Sequence, residues 1–276
     1  MKYGYVSNAW GSVVGHPVGV TSIKDLFYLT TGSTPDAVRD IAQAGYRGLE
    51  IFDGNLIEFE SDKNAFRRLM LNHKLELVAV YTGANFIFSD ILREELWRID
   101  KAAAIGAELG AKHLTVGGGA KRSTGTTDDD YWRLAEGLDR AADIAERYGL
   151  TASYHPHLTT IVETPAQLEK IMKHSRINFC PDTAHLAAGG GDPAQLVRQY
   201  AGRIKHVHLK GFQPEPFAFT RLDQGTLDNA AVLRALEDVG YDGWVIVEAD
   251  GCAGDPRENA ALNFQYLQTR ASKAAV

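Results

Sequence analysis

Four apolar runs in the second half of the chain each end in a side chain that ligates metals. They are TASYHPH at 151–157, INFCPDTAH at 177–185, KHVHLKG at 205–211 and WVIVEAD at 244–250. Helix-like segments separate them. Strand-like runs that each deliver a His, Asp or Glu at the carboxyl end fit a parallel barrel whose ligands gather at one mouth. The helix starts share one device: Thr164-Pro165-Ala166-Gln167, Asp192-Pro193-Ala194-Gln195 and Asp255-Pro256-Arg257-Glu258. Each sets a capping oxygen before Pro, with Gln or Glu three positions on to reach back to the cap amide.

The first half continues the alternation. Residues 2–7 read as a strand, and 8–33 as a long glycine-containing connection carrying Trp10, His16, Pro17 and Phe27. Loops of that length in compact domains are often functional. Thr34-Pro35 opens a helix with Ala37, Val38 and Ile41 on its apolar face. Strands follow at 48–53, 76–83 and 113–117. Helices are expected at 62–74, with Phe66, Leu69, Met70 and Leu71 inward, at 89–110 with Ser89 as cap, and at about 130–148. Eight strand–helix units in 276 residues match a (β/α)8 TIM barrel, which needs about 250 residues. The expectation is one α/β domain spanning 1–276.

Composition narrows the function. The formal charge is −6, without a block of like charges, and no basic–aromatic stripe suggests nucleic acid. The first residues lack the apolar region of a signal peptide, and no apolar run is long enough to span a membrane. A cytoplasmic protein acting on a small molecule, with no nucleic acid or membrane partner and homo-oligomerisation left open, is therefore expected. Cys180 and Cys252 form no C-x-x-C pair and read as buried or incidental thiols. Neither phosphate-loop nor dinucleotide glycine motifs occur. The glycines at 117–119 and 189–191 read as tight turns.

At a barrel mouth the candidate set is His155 or His157, with Asp182, His208 and Glu248. Two imidazoles and two carboxylates suit a borderline divalent ion: Mn first, with Co, Fe, Ni, Zn or Mg as alternatives. Glu248 ends the run WVIV, and a carboxylate there is costly unless paired or ligating. Alternation sets His208 on one face with His206 and Lys210, and His206 reads as structural. His185, one turn beyond Asp182, is placed to contact a substrate oxygen. Lys210 and Arg221 are polar donors near the same mouth. Trp10 offers an apolar wall for a sugar face, Glu163 a reach into the pocket, and Asp250 reads as part of the next turn.

These stretches carry a resemblance. YHPHLTTIVETPAQLEKIM, CPDTAHLAAGGGDPAQLVRQYAGRIKHVHLKG and LDQGTLDNAAVLRALEDVGYDGWVIVEAD resemble the xylose-isomerase-like sugar isomerase/epimerase superfamily. They are nearest the inosose (2-keto-myo-inositol) dehydratases and related keto-sugar lyases. The likeness is dense over about 145–252 and architectural before that. It implies metal binding by Asp182, His208 and Glu248, with His185, and Arg221 beside it, toward substrate. The chain departs from the family's ketose epimerases at strand five, where His155 stands in place of their Glu. His155 is accordingly assigned to the metal and His157 to substrate, the two being interchangeable on sequence alone.

The chemistry expected is enolisation of a ketone beside the metal, with His157, His185 and Glu248 as catalytic groups. Histidine serves as base and then acid near neutral pH, which favours β-elimination and a keto-cyclitol or keto-sugar lyase. The alternatives are a ketose epimerase or aldose–ketose isomerase at the same site, metal-dependent endonuclease chemistry on the same fold, and a catalytically silent carbohydrate-binding barrel.

Overall fold

Eight parallel strands line up in one sheet. Their chain-order labels are β1 Lys2–Val6, β2 Gly48–Phe52, β3 Glu76–Gly83, β4 His113–Gly117, β5 Thr151–Tyr154, β6 Asn178–Phe179, β7 Val207–Leu209 and, after a hairpin, β10 Trp244–Val247. The spatial order is β6-β5-β4-β3-β2-β1-β10-β7. Parallel bridges Phe179↔Ile204 and Asp182↔His208 join the two ends, with His208 N donating to Pro181 O at 2.9 Å. The sheet thus closes into the expected barrel. The computed structural model describes residues 1–11, 27–251 and 254–273, the last three as backbone. His16, Pro17 and Cys252 lie outside the described residues.

The helices are α1 Thr34–Ala44, α2 Asp53–Ile57, α3 Lys63–His73, α4 Ser89–Leu109, α5 Asp128–Arg147, α6 Pro165–His174, α7 Thr183–Ala188, α8 Pro193–Gln199, α9 Asn229–Asp238 and α10 Pro256–Lys273. Outward strand residues such as Tyr5, Leu49, Ile51, Val80, Leu114, Val116, Val245 and Val247 pack with helix residues such as Ile41, Phe66, Ile99 and Leu138 in the main core. A second cluster of Val6, Phe52, Val78, Ala79, Tyr81, Trp244 and Ile246 fills part of the barrel interior. Val78 and Ala79 both join it because the β2–β3 register shifts between Leu49 and Glu50. At the floor, a Cβ on Gly48 would stand 2.6 Å from the Trp244 ring, so only glycine admits that indole.

Several local expectations shift. The α1 cap is Ser33, accepting from Asp36 N, and Thr34 is already helical. Ser89 opens α4 without capping it, Phe88 being the N-cap. The Thr164–Gln167 capping box forms in both directions, worth about 1 kcal/mol. On α3, Phe66 and Met70 define the buried face, and Leu71, one step round, is 76 % exposed. The antiparallel hairpin β8 Gly211–Pro214 with β9 Phe217–Thr220 was not anticipated. It extends directly from Lys210 and hangs over the barrel mouth.

Candidate active site

Strand alternation decides which polar side chains turn inward. On β7, Val207 and Leu209 face the helices while His206, His208 and Lys210 are buried within the barrel. On β5, Ala152 and Tyr154 face out, and Ser153 and His155 are buried within. Glu248 continues the inward line of Trp244 and Ile246. Asp182 is the N-cap of α7, with Oδ1 accepting from Ala184 N and His185 N at 2.9 Å. Its other oxygen is thereby turned to the barrel axis.

The structure brings His155, Asp182, His208 and Glu248 together, each with a ligand-type atom within 4.8 Å of the others. His155 Nε2 stands 3.3 Å from Asp182 Oδ2 and 3.8 Å from Glu248 Oε2. Neither ring nitrogen of His155 makes a hydrogen bond, and Asp182 Oδ2 faces only the imidazole and ammonium of this same cluster. Buried polar atoms without hydrogen bonds are expensive. Converging lone pairs on two imidazoles and two carboxylates fit a divalent ion, so the donor set suits the group expected from the sequence.

Lys210 Nζ enters the same cluster. It lies 3.1 Å from both Asp182 Oδ2 and Glu248 Oε2, and 2.8 Å from Asp250 Oδ1. Burial drives both the Asp182 and Glu248 carboxyls up, but Lys210 and the neighbouring histidines outweigh it and hold them below the usual range. Burial pulls the Lys210 ammonium down, and Asp182, Asp250 and Glu248 more than reverse this. Burial likewise lowers His208, yet Glu50 and Glu248 raise it to about 10.

A second group sits beside the first: His157, His185 and Asp250. The two imidazoles lie 3.6 Å apart between ring centroids. His157 Nδ1 contacts Leu158 O at 2.6 Å. A carbonyl can only accept, so Nδ1 carries the hydrogen and Nε2 keeps its lone pair. Burial, then His185, lowers the His157 pKa to about 3. His185 Nδ1 accepts from Leu158 N at 3.5 Å, and its Nε2 lies 3.3 Å from Lys210 Nζ and 3.5 Å from Asp250 Oδ2. Phe219 of the hairpin packs edge-on to His185 at 4.7 Å, with Lys210 Nζ 5.1 Å from its ring.

Two cavities flank these groups. A small one of about 90 Å³ has Tyr28, Tyr81, Asn85, His157 and Thr160 in its wall. One of about 230 Å³ has Phe219, Arg221, Gln224, Asp250, Glu258 and Asn259 in its wall. Arg221 thus borders the larger cavity, with its guanidinium paired to Asp223 at 3.0 and 3.1 Å.

Two expected substrate contacts lie elsewhere. Trp10 is buried in the core, its Nε1 donating to Asp40 Oδ2 of α1 at 3.0 Å and its ring edge-on to Tyr5. The indole needed a polar partner and found it behind the barrel wall. Glu163 accepts from Thr159 N at 2.5 Å and pairs with Lys121 Nζ at 2.8 Å, bracing two loops against each other.

Three residues of the site were not singled out from sequence. Asp250, read as a turn, is tied to Lys210. Asn8 Nδ2 donates to Glu248 Oε1 at 3.2 Å. Glu50 is fully buried and accepts from both His206 and His208. The signal for Glu50 was present: a carboxylate within the apolar run GLEIF is as costly as Glu248 after WVIV.

Comparison with known proteins gives the family of this fold. The model of the xylose isomerase-like TIM barrel matches residues 38–270. The chain belongs to that family. Among curated relatives of this xylose isomerase-like barrel, the inosose dehydratase of Geobacillus kaustophilus is 28% identical over 263 residues, covering 83% of this chain and 84% of that one. Among solved structures, a probable 3-DHS dehydratase from Bacillus anthracis superposes with a TM-score of 0.73 at 15% identity, covering 97% of this chain and 99% of that one. The 3-keto-D-glucoside 4-epimerase of E. coli does so with a TM-score of 0.73 at 19% identity, covering 98% and 99%. At these identities the two structures share the fold. No helix among the described residues is long and apolar enough to cross a membrane.

Proposed function

We propose that this chain is a divalent-metal-dependent lyase that removes water from a keto-cyclitol or keto-sugar by β-elimination. The coarser statement, a carbohydrate-processing enzyme of the lyase or epimerase kind, is supported by the curated inosose dehydratases together with the barrel's dehydratase and epimerase structural neighbours. The observation that carries the finer reading is the close pair His157 and His185 beside the His155, Asp182, His208 and Glu248 set.

A divalent ion held by those four side chains would act as a Lewis acid on the substrate carbonyl and so acidify its α-hydrogen. His157, with its Nε2 lone pair, takes that proton. The electron pair of the broken C–H bond forms the new C=C bond and expels the β-oxygen. His185 donates a proton to that oxygen, which leaves as water. Asp250 and Lys210 orient His185 and keep the charge around it balanced. Two imidazoles side by side favour proton removal and delivery from one face. An epimerase asks instead for acid and base on opposite faces of the substrate carbon.

The test is turnover by protein reconstituted with Mn, Co or Zn, on inosose and a panel of 3-keto-sugars and free ketoses. Mass spectrometry should show a product lighter by one water. An isomer of unchanged mass carrying solvent deuterium would replace the lyase with an epimerase or isomerase. No turnover with intact sugar binding would leave a silent carbohydrate-binding barrel.

A further inference from the structure

Beneath the proposed metal ligands the barrel interior holds a buried polar column that the mechanism above does not use. Glu50 Oε2 lies 2.6 Å from His206 Nε2 and 3.0 Å from His208 Nε2. His208 turns its other nitrogen, Nδ1, to Glu248 Oε2 at 2.9 Å. The His113 ring stacks on His206 at 5.0 Å and 27°. Glu50, His206 and His208 are all fully buried.

The geometry points to Glu50 as a positioning residue that fixes which nitrogen of His208 meets the metal. The inference rests on the reading of His208 as a ligand. A carboxylate oxygen facing both Nε2 atoms can only accept, so each imidazole holds its hydrogen on Nε2. Nε2 of His208 is thereby committed to Glu50, and Nδ1, turned toward Glu248 of the ligand set at 2.9 Å, is the nitrogen left on the side where an ion would sit. A carboxylate behind a ligating imidazole sets its ring orientation and makes it the stronger donor.

The same three residues form a group that could itself hold an ion. Two features favour the hydrogen-bonded reading. The 2.6 Å separation of Glu50 Oε2 and His206 Nε2 is that of a short charge-assisted hydrogen bond. A second ion on His208 Nε2 would also strip the ring of its last N–H while the first ion holds Nδ1. His206 shares the acceptor, and its ring, braced by His113, keeps Glu50 from turning away.

The experiment compares wild type and Glu50→Gln by calorimetric titration with Mn and Zn, with Glu50→Asp as a second variant. Wild type should bind one ion per chain, and Glu50→Gln should bind it about 10- to 100-fold more weakly. Nitrogen-edited NMR of the Zn-loaded wild type should show His206 and His208 protonated at Nε2, with a metal-shifted Nδ1 on His208 alone. That readout stands even if both variants fail to fold. A His208 protonated at Nδ1, an unchanged affinity in Glu50→Gln, or a second ion lost with Glu50 would each overturn the assignment. Wild-type protein that binds no divalent ion overturns the metal reading itself, and this inference with it.

Discussion

Lys210 Nζ and Asp250 Oδ1 lie 2.8 Å apart inside the barrel mouth, and the same ammonium is 3.1 Å from Asp182 and from Glu248. One fully buried cation thus serves three carboxylates. Removing one partner of such a cluster strands the others, at about 3–5 kcal/mol. Lys210→Met is therefore expected to lower the melting temperature sharply in metal-free buffer, and excess Mn or Zn should restore more stability to it than to wild type. Differential scanning fluorimetry with and without the ion measures both effects. An equal loss in the two conditions would show that Lys210 and the ion do not share these carboxylates.

The two adjacent imidazoles are expected to separate by assay. Each of His157→Gln and His185→Gln should lower kcat by about 10²- to 10⁴-fold, the range of a positioned acid or base. Only the first should also stop exchange of the substrate α-hydrogen with solvent deuterium. His185→Gln should still exchange and stall at loss of the β-oxygen. Exchange that survives His157→Gln at the wild-type rate would remove His157 as base.

Asp53 predicts a pH effect on stability away from the ligand set. It is buried, with Oδ1 accepting from Tyr28 N and Gly54 N and Oδ2 from Thr82 Oγ1. Burial raises its pKa to about 6, against the lowering pull of Arg98 and the three hydrogen bonds. A raised folded-state pKa means that the fold favours the protonated form. That contribution is complete below the unfolded value near 3.9 and is lost as pH rises through about 6, up to about 3 kcal/mol. Asp53→Asn keeps Oδ1 and can donate to Thr82, so it should gain on wild type between pH 4 and pH 7. Urea unfolding at the two pH values measures this, and a constant difference between the proteins would refute it.

Trp10 is predicted to matter for folding and not for turnover. Trp10→Phe removes the hydrogen bond to Asp40 and leaves a buried carboxylate oxygen short of a donor, at about 1–3 kcal/mol. Denaturant titration should show that loss while kcat and KM hold. A raised KM at unchanged stability would return the indole to the substrate pocket.

The fold and the proposed ligands were legible for the same reason. Parallel barrel strands are buried on both faces, so they read as short apolar runs, and a His, Asp or Glu at the end of one stands out. His155, Asp182, His208 and Glu248 were visible in this way. Glu50 obeys the same rule but sits inside its strand, where no strand end marks it. Trp10 and Glu163 misled because a bulky or charged residue in a loop carries no mark of direction. Trp10 turned to Asp40, and Glu163 to Lys121 and Thr159.

The sequence by itself determined the repeating strand–helix pattern, the Pro-flanked caps of α6, α8 and α10, and the residue types at the strand ends. Those properties are local: apolar periodicity, a side-chain oxygen ahead of a helix, and the cost of a charge in an apolar run. Only the tertiary structure decided which of these residues meet. Barrel closure between β6 and β7 carries Asp182 to His208, and the β2–β3 register turns Glu50 beneath His208. It also draws Asp250, which looked like a turn, onto Lys210. Such meetings depend on register and twist summed around eight strands, and no local stretch of chain encodes that sum.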